Sequence, residues 1–105
     1  MAAKHDGFDY KSPRWLRARD RALRRCGYEC QESKRYGLKR PATVVHHVWP
    51  VEQWPQFAWC EWNHLPLTAE AHDQMHDRTT GKLTPLGESW RRRVSPPPDR
   101  REKND

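Results

Sequence analysis

Apolar positions recur at two different periods along this chain. Between Ser12 and Gly27, Trp15, Ala18, Ala22 and Cys26 return every three or four residues, with Leu16 and Leu23 beside them. That spacing predicts an amphipathic helix of roughly twelve residues. Ser12 suits its N-cap, Pro13 its first helical position, and Gly27 its stop. Arg14, Arg17, Arg21, Arg24 and Arg25 line the other side. After a polar, turn-rich stretch from Gly27 to Arg40, the β-branched Thr43-Val44-Val45 predicts a strand, which Pro50 ends. A second strand is predicted over Trp62 to Thr68, and Thr68 can cap a helix from Ala69 to Arg78. Leu83 to Trp90, after the turn Thr79-Thr80-Gly81, is expected to pack back on the core. The order predicts an α+β domain over residues 12–90. A flexible tail is expected at 1–11, and a basic, Pro-rich disordered tail at 91–105.

The first strand delivers two adjacent histidines, His46 and His47, whose side chains point to opposite faces of a strand or into a turn. His72 and His76 are four residues apart, so a helix through both would set the two imidazoles on one face, within reach of one cation. With His64, five of the six histidines fall between Val44 and His76. This is the pattern of a metal site.

Charge sharpens the picture. The net charge is +6, yet residues 41–77 contain no Lys or Arg and five acids, with basic segments on either side. Basic flanks around a histidine centre suit a polyanion laid across a metal site. At 105 residues and 34% hydrophobic content, with a mean hydropathy of −1.23, the core is small and a metal or compact motif must help the fold. No apolar run is long enough to span a membrane and none resembles a secretion signal, so a cytoplasmic location is expected. Three cysteines argue against a disulfide framework.

The residues Val45-His46-His47-Val48-Trp49-Pro50, Asn63 sixteen positions after His47, and His72 nine further on resemble the HNH (His-Asn-His) endonucleases. The resemblance runs from about Tyr10 to Trp90 and is nearest to short stand-alone proteins of phages and prophages. It implies a ββα-metal (His-Me finger) core behind a basic helix, and DNA hydrolysis. His47 would be the general base, Asn63 the residue that fixes its orientation, and His46, His72 and His76 the ligands of one divalent cation. An all-imidazole set favours zinc, nickel, cobalt or manganese over magnesium, which prefers oxygen ligands, and the sequence leaves the choice among zinc, nickel, manganese and magnesium open. DNA is the implied partner, contacted by Arg14, Arg17, Arg21, Arg24 and Arg25; phage terminase or other packaging proteins are a further one.

The chain departs from the family at one place. Many HNH proteins carry a zinc knuckle of two Cys pairs, and here only Cys30 remains, with Ser33, Thr68 and Ala71 at the other positions. No structural zinc knuckle is expected, and Cys26 and Cys60 read as core or plain thiols. Trp49, Trp54, Trp59 and Trp62 are expected to supply apolar area in its place. His64 reads as incidental to the chemistry. The competing reading is a non-catalytic, metal-stabilised DNA-binding module, or a phage packaging accessory; it would have no need of His47 and Asn63.

Overall fold

The computed structural model describes residues 8–94 and residue 96. Helix α1 spans Pro13–Arg25, capped by the Ser12 hydroxyl, which accepts from the Trp15 amide at 3.1 Å. It ends at Gly27, whose φ of 62° lies in the left-handed region. A short helix α2 follows at Gln31–Lys34. Strand β1, Val44–His47, pairs antiparallel with β2, His64–Leu67, in the register Val44 to Leu67, Val45 to Pro66, His46 to Leu65 and His47 to His64. Between the strands lie single 3-10 turns at Pro55–Phe57 and Glu61–Asn63. Helix α3 is Ala69–Asp73, capped by Thr68, and α4 is Pro85–Arg93, capped by Thr84.

The hairpin is buried on both faces. On one side Val45 packs with Phe8, Trp15, Ala18, Ala22 and Leu23, under α1. On the other, Leu65 and Leu67 pack with Cys30, Val48, Ala71, Met75 and Trp90, under α3 and α4. A two-stranded ribbon is marginal alone; two helical layers make it a rigid platform. The tryptophans extend these layers: Trp59 packs against the first cluster and Trp49 against the second. Trp54 lies edge-on to Trp49 at 4.9 Å, and Trp62 edge-on to Phe57 at 5.0 Å. At the corner where the sequence keeps only Cys30, the buried thiol lies 3.9 Å from the Thr68 hydroxyl, and Ala71 belongs to the core. Burial raises the Cys30 pKa, but hydrogen bonds from Ser33, Thr68 and Glu32 outweigh it and hold the thiol below its ordinary value.

Three elements differ from the sequence expectation. The helix expected over Ala69 to Arg78 stops at Asp73. The chain then turns, because residues 74–77 pair with 82–84 instead: the Thr84 hydroxyl donates to the Gln74 carbonyl, the Thr84 amide to Met75, and the Asp77 amide to Lys82. The tail expected from residue 91 begins as helix, since α4 continues through Arg93. Arg91 is held there by Glu88 at 2.9 Å and by the faces of Trp49 and Trp54, and the Trp49 indole donates to the Val94 carbonyl. At the other end Phe8 is 8% exposed and sits in the core rather than in a tail. Residues 1–7, 95 and 97–105 lie outside the described residues.

Gly87 sets how closely α4 meets the loop after α3. A Cβ there would collide with the Met75 carbonyl and lie 2.8 Å from Leu83 Cδ2. Gly87→Ala should therefore destabilise the fold by about 1–3 kcal/mol, the usual cost of overpacking. Thermal denaturation should show a clear fall in midpoint. An unchanged midpoint would mean that α4 can move away freely.

Candidate active site and metal centre

Alternation along β1 sends its last two residues to different neighbours. His46, 2% exposed, faces α3. Its ring centre lies 5.1 Å from that of His72 and 5.4 Å from that of His76, and the latter two are 6.4 Å apart. His72 comes from the last turn of α3. His76 comes from the following loop, where a bridge to Leu83 fixes its backbone and its Nδ1 donates to the Gly81 carbonyl at 3.2 Å. That bond leaves the His76 Nε2 lone pair available. So the predicted trio does assemble, but from a strand, a helix and a loop rather than from one helical face.

The donor set fits a cation of intermediate softness. Among the described residues His46 Nε2 is buried with no hydrogen-bond partner, a costly state for a polar atom. An imidazole donor binds at about 2.0–2.1 Å, which puts tetrahedrally arranged ring centres about 5 Å from each other. Two of the three separations match that spacing and the third is wider. Among the described residues no group of three or more His, Cys, Asp or Glu is arranged as it stands to hold a metal ion. Burial is the main reason that the His46 pKa lies well below the ordinary imidazole value, with the neighbouring His72, His76 and His47 adding to it. Burial also lowers the His72 pKa, helped by His76 and opposed by Asp73. Both rings are thus neutral at pH 7, as metal donors must be.

His47 points to the α1 side. Its ring stacks on Trp15 at 4.8 Å and meets Phe8 and His64 edge-on. Its Nε2 donates to the Ala58 carbonyl at 2.9 Å. A carbonyl can only accept, so the proton is on Nε2 and the lone pair on Nδ1. Asn63, 0% exposed, ties down the loop that carries Ala58. Its side-chain carbonyl accepts from the Trp49 amide at 2.7 Å, and its amide donates to the Trp49 and Phe57 carbonyls, both at 3.1 Å.

Tyr10, Val45, His46, His47, His72 and His76 line one cleft of about 380 Å³. Tyr10 was not singled out by sequence reasoning. The signal lay in two aromatic residues, Phe8 and Tyr10, directly before a helix cap, a composition unlike a free tail. His64 is not part of this lining. It is the cross-strand partner of His47 and donates to the same Ala58 carbonyl at 2.9 Å, a satisfied core histidine. The five arginines expected to meet DNA, Arg14, Arg17, Arg21, Arg24 and Arg25, are all exposed on α1. Arg14 lies 3.8 Å over the Trp59 ring, and Arg25 pairs with Glu61 at 3.8 Å.

The neutral histidines make a prediction for metal-free protein. The unfolded chain takes up protons near pH 6.5, whereas folded His46 and His72 resist them to lower pH. Unfolded protein then binds more protons, so stability is full above about pH 6.5 and is lost as pH falls through the folded values. The melting midpoint should drop between pH 7 and 5, and drop less in His46→Leu. Equal slopes in the two proteins would contradict the assignment.

No family model and no curated protein sequence matches the chain. Among solved structures it is similar to the HNH endonuclease of the deep-sea thermophilic bacteriophage GVE2, crystallised with manganese ion. The TM-score is 0.58 and the identity 25%, over 61% of this chain and 70% of that one. The fold, a β-hairpin followed by a helix, matches the ββα-metal core of the HNH endonucleases.

Proposed function

We propose that this chain is a metal-dependent DNA endonuclease, with His47 as general base and His46, His72 and His76 as ligands of one divalent cation. One observation carries the reading. Two adjacent histidines of β1 part company, one into an imidazole trio and the other onto a backbone carbonyl, while both still line one cleft.

Each residue then has a task. The Ala58 carbonyl holds the His47 proton on Nε2, so Nδ1 can take a proton from the attacking water. Imidazole is the side chain most often used for such a transfer. Asn63 keeps the Ala58 loop in place and so keeps His47 aimed. When bound, the cation supplies Lewis acidity at the scissile phosphoryl group and stabilises the departing 3′ oxygen. Water attacks phosphorus, its proton passes to His47, and the bond to the 3′ oxygen breaks, leaving 5′-phosphate and 3′-hydroxyl ends. The nitrogen donors favour zinc or nickel over magnesium, and the similar phage endonuclease was crystallised with manganese ion.

Plasmid nicking tests this reading. Wild-type protein should nick with manganese and stop with EDTA. His47→Ala should lose about 10²–10⁴-fold in rate while calorimetry shows the metal still bound. His46→Ala should lose metal affinity and nicking together. Metal binding without nicking in the wild type would make the chain a non-catalytic module. Metal loss in His47→Ala alone would reverse the pair.

DNA affinity should also fall steeply with salt. Replacing the exposed Arg17, Arg21 and Arg24 by Ala should flatten the log–log slope by about 0.9 for each phosphate that is no longer neutralised. A slope that does not change would move the DNA footprint off α1.

A further inference from the structure

We propose that Tyr10 is a further active-site residue, whose phenol hydroxyl orients the attacking water and the scissile phosphate beside His47. The inference rests on the endonuclease reading above. It starts from geometry: the Tyr10 hydroxyl lies 3.5 Å from His47 Nδ1, the ring nitrogen that carries the lone pair. Tyr10 lines the same cleft as His46, His72 and His76, and is 41% exposed.

The placement is built in. Phe8 is buried in the core and meets the Tyr10 ring at 4.6 Å. Trp15 meets it at 5.7 Å with planes perpendicular, and His47 at 5.9 Å. The turn between them is tied by Asp9, whose carboxylate accepts from the Lys11 amide at 2.9 Å and whose carbonyl accepts from Ser12 at 3.2 Å. Ser12 in turn caps α1. Helix, cap, turn and aromatic packing therefore all fix where the hydroxyl sits.

A phenol there suits the step. It offers one O–H donor and an acceptor oxygen. The acceptor can take a hydrogen bond from the attacking water, whose other proton goes to His47 Nδ1. The donor can reach a non-bridging phosphate oxygen, where negative charge builds in the transition state. No bond to tyrosine forms or breaks, and the proton and leaving oxygen go where the hydrolysis already sends them.

The test is Tyr10→Phe in the full chain, which keeps the ring packing and deletes one oxygen. Its kcat should fall by about 10²–10³-fold, the range for losing one positioned donor. The fall should be similar on plasmid and on the small diester bis(p-nitrophenyl) phosphate, with metal affinity, DNA affinity and melting midpoint unchanged. In metal-free protein the His47 Nδ1 resonance should shift when the hydroxyl is removed. Equal or higher activity of Tyr10→Phe beside an active wild type would overturn the role of Tyr10 alone. So would an unmoved resonance. A wild type that never cleaves either substrate would overturn both the endonuclease reading and this one.

Discussion

The structure depends on a four-residue strand that is buried on both faces. Because β1 is covered by α1 on one side and by α3 and α4 on the other, the alternation of its side chains is fixed rather than averaged. A slip of one residue would exchange Val45 and His47 for Val44 and His46 and put each imidazole among the wrong neighbours. Burial on both faces is therefore what separates two adjacent histidines into an imidazole trio and a carbonyl-bound ring. The same burial leaves His46 Nε2 without a hydrogen-bond partner among the described residues and keeps its ring neutral. An apolar residue would meet that environment at lower cost, so the imidazole is the informative choice.

The connection between the strands is held by a different kind of force. It contains few regular hydrogen bonds, and Asn63 supplies three from one buried side chain. Those bonds hold Trp49 and Phe57, and through the following turn they locate the Ala58 carbonyl that accepts from both His47 and His64. Aromatic packing fills the rest, with Trp15, Trp49 and Trp59 where longer aliphatic side chains are scarce. The loop after α3 is the third support. It is pinned by Thr84 and by the close passage at Gly87, and it presents His76.

Much of this was legible in the sequence where local chemistry decides the outcome. Ser12-Pro13, Thr68 and Gly27 mark helix ends because capping and left-handed backbone need those residue types. Val44-Val45 marks the strand, whereas the four-residue spacing of His72 and His76 pointed to one helical face that the stop at Asp73 removes. What was not legible depends on long-range partners. The stop at Asp73 follows from hydrogen bonds to Thr84 and Lys82, which no helical propensity of residues 74–78 could reveal. The order at Phe8 comes from a pocket made by α1 and the inter-strand loop. The helix through Arg93 comes from Glu88 and two tryptophans distant in sequence from it. Tyr10 was hidden for the same reason, since its place at the cleft exists only once Phe8 is anchored.

The division of roles along β1 is the centre of the account, and anomalous diffraction from crystals grown with manganese measures it directly. One peak should appear among His46, His72 and His76, with His47 Nε2 still on the Ala58 carbonyl. A peak bound to His47, or one at the Cys30 corner with none in the cleft, would contradict it.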